Sequence, residues 1–353
     1  MKGKIKLKKE KVINFFKNNK TRAILIIVLV SLFSCIPFLN NDLKFGYDDG
    51  IQHIARIIGS FNSLKNGQST IVASELCNNF GYAWNLFYSP FTAYLPLIFI
   101  GVSFVTKLKL FILFITIFTG IFMYFFVLKF VQNTDKLNNK IDDKMKNRIA
   151  ILAVVLYILA PYRLTDIYSR MALSEICVFM FLPLVFSGLL DIFGYGGINK
   201  DKGNFMVNVP LVCGACGLVF CQSVMAMYVA IICFVLVLFK IFVVKNQVSV
   251  GLLLKRIIQN LIVIIAITSI YWMPLLITKN SANYEVFNQE RMIREDTLVK
   301  LKVDLPNLFY TNKGDIRIYQ IGFVSLLGLI LTYSAFVKFN TVLSAKVISA
   351  YVK

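Results

Sequence analysis

The sequence is poor in charged residues, because Asp, Glu, Lys and Arg make up only 16% of its 353 residues. Soluble globular domains carry about 25%. Hydrophobic residues reach 58% and the mean hydropathy is +0.70, so the composition excludes an ordinary soluble protein and indicates a polytopic membrane protein. Acidic residues are scarcest, 18 against 38 Lys and Arg, for a net charge of +20. Basic segments beside membrane spans explain this excess, and we expect no nucleic-acid partner.

Histidine is nearly absent, and His53 is the single one. A closed zinc site, which uses several His or Cys ligands, is therefore not expected. Seven cysteines are scattered, five of them deep in apolar runs, which indicates packing residues and no disulfide framework. The C-x-x-C of Cys213 and Cys216 lies in "LVCGACGLVF", which is typical of a small-residue contact between helices.

Nine apolar runs are candidates for membrane spans, at 23–39, 91–106, 110–131, 149–161, 176–193, 207–219, 224–244, 257–277 and 321–337. The distribution of Lys and Arg among the loops indicates which of these runs cross the membrane. If 91–106 forms a sixteen-residue re-entrant or interfacial helix, 24 of the 38 Lys and Arg fall on the cytoplasmic side, as the positive-inside bias prefers. We therefore expect an all-α protein with eight crossings in the plasma membrane and a cytoplasmic N-terminus.

This topology defines the expected organisation of the chain. A basic cytoplasmic N-terminus (1–22) precedes a membrane domain (23–277) whose first loop, 40–108, lies on the outer face. Another outer loop (278–319) and a last span (320–353) follow, and the sequence ends inside the expected start of a further, truncated span.

The first loop carries charged residues in "YDDGIQHIAR". On a helix, Asp49, His53, Arg56 and Ser60 share one face, and isoleucines occupy the opposite face. An amphipathic helix lying on the membrane is expected here. The polar face is either a solvated surface with an Asp49–His53 pair or part of a site.

A second cluster, "APYRLTDIYSRMALSE", follows on the same expected side. A helix would stack Arg163, Asp166 and Arg170, with Glu175 at the start of the next span. Charges at a membrane boundary mark a site unless they lock helices together. Acids and arginines that converge from two loops suit a phosphate-bearing substrate.

Between the clusters lies the aromatic segment "GYAWNLFYSPFTAYLP", which contains Tyr88. Such a segment is typical of an interfacial aromatic belt. A groove for a sugar or a lipid tail is the alternative.

Four stretches carry a family resemblance: the segments quoted above, extended to "DDGIQHIARIIGSFNSLKNGQ" and "LAPYRLTDIYSRMALSEICVFMFLPLVFSGL", and "YWMPLL". In this order they resemble the bacterial membrane family named pyruvoyl-tetrahydropterin-synthase-related, which has the architecture of GT-C glycosyltransferases. The resemblance covers roughly residues 20–280. It implies an enzyme that moves a sugar from a polyprenyl-phosphate carrier to a glycan or lipid acceptor on the outer face. One departure is Gln222, where such proteins often have a histidine.

The resemblance and the chemistry together define the candidate site. The expected catalytic group comprises Asp49 as general base or metal ligand, His53 as its tuner or a protonated phosphate ligand, and Glu175 as an orienting carboxylate. The expected substrate-binding residues are the candidate phosphate clamps and their neighbours: Arg56, Arg163, Arg170, Asp166 and Tyr88. No cofactor is certain, although carboxylates and lipid phosphate suit Mg²⁺ or Mn²⁺.

Two other functions are compatible with these residues. Intramembrane charges also mark transporters or flippases of lipid-linked sugars. Against this, no internal repeat is evident, and the charges gather on one face. The second alternative is an inactive membrane partner of another glycosyltransferase.

Overall fold

The computed structural model describes residues 19–39, 49–135, 141–195, 207–242, 248–279 and 281. The chain divides into two compact units, one comprising 1–159 and 166–287 and the other comprising 160–165 and 288–353. Within the described ranges, only 160–165 belong to the second unit. The predicted outer loop 278–319 and the last apolar run lie outside the described residues, apart from 278, 279 and 281.

The described residues are predominantly helical and form no strand, apart from an isolated bridge between Ala73 and Tyr82. The helices are α1 (Asn19–Ser34), α2 (Gly50–Lys65), α3 (Trp84–Phe87), α4 (Phe91–Tyr94), α5 (Phe104–Asp135), α6 (Asp143–Ile158), α7 (Pro161–Tyr168), α8 (Leu173–Ile192), α9 (Val209–Cys221), α10 (Ser223–Phe242) and α11 (Val250–Lys279). Short 3₁₀ turns at Ile36–Leu39 and Leu95–Ile98 follow α1 and α4.

Four helices in the described part are long and apolar enough to cross a membrane: α5, α8, α10 and α11. The number becomes five if the pair α6 and α7 is counted as one broken span, and α9 is a shorter apolar helix. These helices agree with an all-α membrane protein. The eight crossings, the GT-C architecture and the orientation of the N-terminus stay predictions.

The prediction of one continuous helix over 91–106 is wrong. Only the four-residue α4 and the 3₁₀ turn Leu95–Ile98 form there, and α5 then begins at Phe104. Pro96 has no N–H for an α-helical bond, and Gly101 adopts a left-handed backbone with φ +80°. Neither short turn has the length to cross a bilayer, since a helix rises about 1.5 Å per residue.

The core that positions the site is formed by α2, α5 and α8. Ile57 of α2, Phe111 and Ile115 of α5, and Ile176 of α8 belong to one buried cluster. Ile54 of α2 packs against the same cluster. The helix of the first loop is thereby attached to two apolar helices.

Helices α8 and α9 approach closely through glycines. A Cβ built on Gly188 would lie 2.5 Å from the backbone nitrogen of Leu211, and one on Gly214 would lie 2.7 Å from the nitrogen of Val185. The side chain of Phe181 occupies the space over Gly217. The predicted small-residue helix contact around "CGAC" is confirmed, and it allows close backbone packing.

We expect Gly188→Ala to destabilise the protein by about 1–3 kcal/mol, because the added methyl group must displace backbone atoms of α9. Unfolding of the purified protein in detergent measures this change. Gly251→Ala in α11 is the matched control, because open space surrounds its Cβ position, and helix propensity then favours alanine by about 1 kcal/mol. Equal stability of the two variants would contradict the assigned α8–α9 contact.

Candidate functional site

Helix α2 has its polar face turned into the protein. His53, Arg56 and Ser60 are buried on one side of the helix. On the other side, Ile51 is 62% exposed and Phe61 is also exposed. The sequence correctly grouped the polar residues on one face, and this inward orientation excludes the simple alternative of a solvated polar surface.

Three carboxylates from two segments surround Arg170, and we call Asp49, Asp166, Arg170 and Glu175 the Arg170 cluster. The guanidinium binds Glu175 through two bonds, Nη2–Oε1 at 2.9 Å and Nη1–Oε2 at 3.0 Å. Nη1 also donates to Asp166 Oδ1 at 2.9 Å, and Nη2 donates to Asp49 Oδ2 at 3.4 Å. The two charged stretches of the sequence therefore meet in space.

The backbone holds the Arg170 cluster together as well. The amide of Asp49, just before α2, donates to the carbonyl of Arg170 at 3.2 Å. Between α7 and α8, Met171 adopts a left-handed backbone with φ +53°, a conformation that is unfavourable for a residue with a Cβ. Ala172 then donates its amide to the carbonyl of Asp166 at 2.9 Å. This turn brings Arg170 between the carboxylates that precede and follow it.

This geometry changes the expected role of Arg170. Carboxylates already accept hydrogen bonds from both terminal nitrogens, so Arg170 is an organiser of acids and not an open phosphate clamp. Asp166 is fully buried, whereas the Asp49 side chain is 40% exposed. Asp49 is thus the carboxylate of the cluster that a substrate reaches most easily.

A second arginine of the site, Arg56, donates hydrogen bonds to neutral groups among the described residues. We call it together with Asn85, Tyr88, Ser89 and Thr92 the Arg56 pocket. Nε and Nη2 donate to Asn85 Oδ1 at 3.4 and 3.2 Å, and Nη2 also donates to the Ser89 carbonyl at 2.8 Å. Nη1 donates to Thr92 Oγ1 at 3.5 Å, the longest of these contacts. The Tyr88 ring lies 4.3 Å from the guanidinium carbon.

The charge of Arg56 is buried, and no carboxylate of the described segments compensates it. The residue is 2% exposed, and none of the Asp or Glu residues that the structure describes forms an ion pair with it. Burial lowers the pKa of Arg56 from its ordinary value to about 10, so the guanidinium stays protonated at neutral pH. A buried cation of this kind is expensive unless an anion compensates it.

His53 is a neutral residue in this environment. Burial, together with the positive charge of Arg56, lowers its pKa from 6.5 to about 3. Its ring packs edge-on against Tyr88, with centroids 6.0 Å apart. The expected role of His53 as a protonated phosphate ligand is therefore not supported by this geometry.

The tip of the α9–α10 hairpin borders the Arg56 pocket. Gln222, an extended residue between the two helices, lies 3.5 Å from the Tyr88 hydroxyl through Nε2. The first amide of α10, at Ser223, donates to Ser89 Oγ at 3.2 Å. Gln222 is the residue that departs from the pattern of the family that the sequence resembles. Asn85, Ser89 and Thr92 are not among the predicted site residues, because their one signal in the sequence is polarity within an aromatic segment.

Arg163 is the last of the predicted site residues, and a divalent metal ion was the possible cofactor. Arg163 is fully buried and lies in the second unit. Over the described ranges, no three His, Cys, Asp or Glu side chains are arranged to hold a metal ion. The carboxylates of the Arg170 cluster bind the guanidinium of Arg170. Their geometry therefore adds no support for a site that binds Mg²⁺ or Mn²⁺.

The opposite end of α8 contains another polar group. Asp191 lies about 24 Å along the helix from Glu175 and accepts from Lys129 Nζ at 2.6 Å. A cavity of about 230 Å³ opens there, lined in part by Asp191, Asn208 and Arg256. This cavity is therefore separate from the Arg170 cluster.

Comparison with known proteins shows one distant similarity. The chain is 26% identical over 212 residues to a protein of Lactococcus lactis subsp. cremoris (strain MG1363) that is described as "Uncharacterized protein". The aligned region covers 59% of this chain and 32% of the relative, so the chain spans about a third of the relative's length. No family model matches the chain, and no solved structure matches it. The resemblance to the GT-C family stays a prediction.

Proposed function

We propose that the protein is a membrane glycosyltransferase that moves a sugar from a polyprenyl-phosphate carrier to a cell-envelope glycan or lipid acceptor. The observation that carries this proposal is the meeting of Asp49 with the turn from Arg170 to Glu175. The helix that Asp49 precedes contains the buried Arg56, which forms no ion pair with an acid in the described ranges. A carboxylate base and a cation for the departing phosphate are the two groups that such a transfer needs.

Asp49 is the proposed general base. Its partly exposed carboxylate accepts the proton of the acceptor hydroxyl while the new glycosidic bond forms. The bond between the sugar and the phosphate breaks, and the phosphate leaves with the electron pair. Arg170 holds Asp49 in place, and Glu175 and Asp166 orient Arg170 through their own hydrogen bonds.

An apolar groove near the site suits a lipid carrier. A cavity of about 320 Å³ is lined by Pro90, Phe91, Tyr94, Leu95, Ile98 and Phe220. Phe91 and Tyr94 flank Thr92 of the Arg56 pocket in the sequence. An isoprenoid chain in this groove would lie beside the polar groups that handle its phosphate.

We expect Asp49→Asn to lower the transfer rate roughly 100-fold or more, because the amide cannot accept the proton. The assay supplies purified protein in liposomes with several polyprenyl-phosphate sugars and measures the release of polyprenyl phosphate. Asp143→Asn is the matched control, since Asp143 is a highly exposed carboxylate that forms an ion pair with Lys146 in the same helix.

Two results would contradict the proposal. A full rate in Asp49→Asn at an unchanged protein level would remove Asp49 as the base. Translocation of intact lipid-linked sugar across the liposome membrane, without release of polyprenyl phosphate, would instead indicate a flippase.

A further inference from the structure

The cavity at the far end of α8 has room for a ligand. Its volume is about 230 Å³, whereas a single water molecule requires about 15 Å³. It lies between the end of α8, the start of α9 and the first turns of α11. None of the site residues predicted from the sequence lines it.

The position of this cavity is at the end of the membrane helices. Asp191 lies about 24 Å along α8 from Glu175, and the hydrocarbon core of a bilayer is about 30 Å thick. Lys129, near the end of α5, forms its ion pair with Asp191 at this level. Charged side chains of membrane helices are stable near the headgroups or in polar cavities. The cavity therefore lies at the level of lipid headgroups, at the opposite end of α8 from the Arg170 cluster.

The polar wall of the cavity favours an anion. Lys129 neutralises Asp191 at 2.6 Å, and the same carboxylate accepts from Asn208 Nδ2 at 3.2 Å. Arg256, which is 6% exposed, brings a further positive charge to the wall. A guanidinium has five N–H donors, so Arg256 can bind an anion in addition to an acceptor from the protein. Two cations and one acid thus form this group in the described ranges.

The start of α9 adds positive potential at the same place. This helix has thirteen residues, and a helix N-terminus carries a partial positive charge. Asn208 caps the helix, because its Oδ1 accepts from the Leu211 amide at 2.9 Å. The Asn208 amide in turn donates to Asn260 Oδ1 at 2.7 Å. These bonds hold the helix start against the part of α11 that contains Arg256.

The apolar wall indicates what kind of anion fits. Val207 and Val209 line the cavity and are both exposed, the latter by 63%. Ile192 and Pro210 complete the apolar lining. Burial of such surface favours a ligand with an apolar part. A phospholipid supplies both a phosphate for the polar wall and a glycerol and acyl region for the apolar wall.

We infer that this cavity binds the phosphate of an anionic phospholipid, with Arg256 and the start of α9 as the anion-binding groups. Basic pockets between membrane helices are a known way to recognise lipid headgroups. The inference is independent of the proposed sugar transfer, since it concerns the other end of α8.

Two pairs of variants test the anion-binding groups. Arg256→Gln removes the cation of the wall, and Lys255→Gln is its control, because it removes the same charge from an exposed neighbour that does not line the cavity. Val209→Asp places a negative charge at the cavity, and Val209→Asn has nearly the same shape without the charge. An acid in the first turn stabilises a helix, so we expect Val209→Asp to fold.

Native mass spectrometry of the detergent-solubilised protein measures the binding of phosphatidylglycerol and of phosphatidylcholine. We expect the wild type and Lys255→Gln to bind phosphatidylglycerol more tightly than phosphatidylcholine. Arg256→Gln should bind phosphatidylglycerol roughly 10-fold more weakly than Lys255→Gln, and Val209→Asp roughly 10-fold more weakly than Val209→Asn. Thermal unfolding shows whether Arg256→Gln folds, and the Val209 pair decides if it does not. Equal affinities within the Val209 pair, or equal binding of the two lipids by the wild type, would overturn the site.

Competition with glycerol 1-phosphate separates a lipid from a soluble phosphate. We expect phosphatidylglycerol to stay bound in the presence of millimolar glycerol 1-phosphate, because the soluble compound lacks the apolar part. Complete displacement of the lipid would overturn the lipid assignment and indicate a site for a soluble phosphate.

Discussion

Arg170→Met is expected to destabilise the protein by about 3 kcal/mol or more, because breaking a buried ion pair by removing one partner is strongly destabilising. The fully buried Asp166 carboxylate and the largely buried Glu175 carboxylate would each lose a charged hydrogen-bond donor. The left-handed backbone of Met171 would also lose contacts that hold its turn in place. Unfolding of the purified protein in detergent, at pH 7.5, measures the loss.

The control for Arg170→Met is Arg148→Met, since Arg148 is exposed at the other end of α6 from the cluster. We expect this variant to stay within about 0.5 kcal/mol of the wild type. Asp49→Asn should cost less than Arg170→Met, because Asp49 is more exposed and its contact with Arg170 is longer. Wild-type stability of Arg170→Met would mean that the cluster does not hold the two segments together.

The grouping of polar residues on α2 could be predicted from the sequence, because the 3.6-residue repeat fixes which side chains share a face. The spacing of Asp49, His53, Arg56 and Ser60 settled their common side. The direction of that side could not be predicted, because a polar face beside membrane helices can point to water or to partners that lie far away in the sequence. Arg56 donates a hydrogen bond to Asn85, which is 29 residues away in the sequence. No local sequence pattern predicts this contact.

The sequence correctly predicted that the two charged stretches meet in space. It could not predict which acids pair with which arginine. Helical spacing stacked Arg163, Asp166 and Arg170, whereas α7 ends at Tyr168 and a turn carries Arg170. The turn allows Arg170 to reach Glu175 and Asp49 together. The sequence therefore predicted three equivalent phosphate clamps. The geometry distinguishes Arg170, which carboxylates neutralise, from Arg56, which faces neutral groups in the part of the chain that the structure describes.

The first loop shows where hydropathy is a poor guide. The sixteen-residue, mostly apolar run 91–106 predicted one helix, but hydropathy is insensitive to the lost N–H of Pro96 and to the left-handed Gly101. The resulting short turns direct Thr92 towards Arg56. The prediction of one continuous helix contained no indication of this contact between Thr92 and Arg56.

The stability of the protein should fall as the pH decreases from 6.5 towards 3, because His53 is buried in its neutral form. In the unfolded chain the imidazole binds a proton near its ordinary pKa of 6.5, whereas in the folded protein its pKa is about 3. The stability is therefore complete above pH 6.5 and decreases by about 1.4 kcal/mol per pH unit below it. Between pH 6.5 and 5 the expected loss is about 2 kcal/mol.

This pH dependence can be assigned to one residue, because His53 is the single histidine of the chain and no other side chain ordinarily titrates in that interval. Denaturant unfolding at pH 7.5, 6.5, 5.8 and 5.0 measures the slope for the wild type and for His53→Gln, which carries no titratable group. We expect the variant to remain folded and to lose most of the slope between pH 6.5 and 5. A wild-type protein with constant stability over that range would show that His53 gains its proton in the folded state, and a second cation beside Arg56 would then require an anion in the pocket.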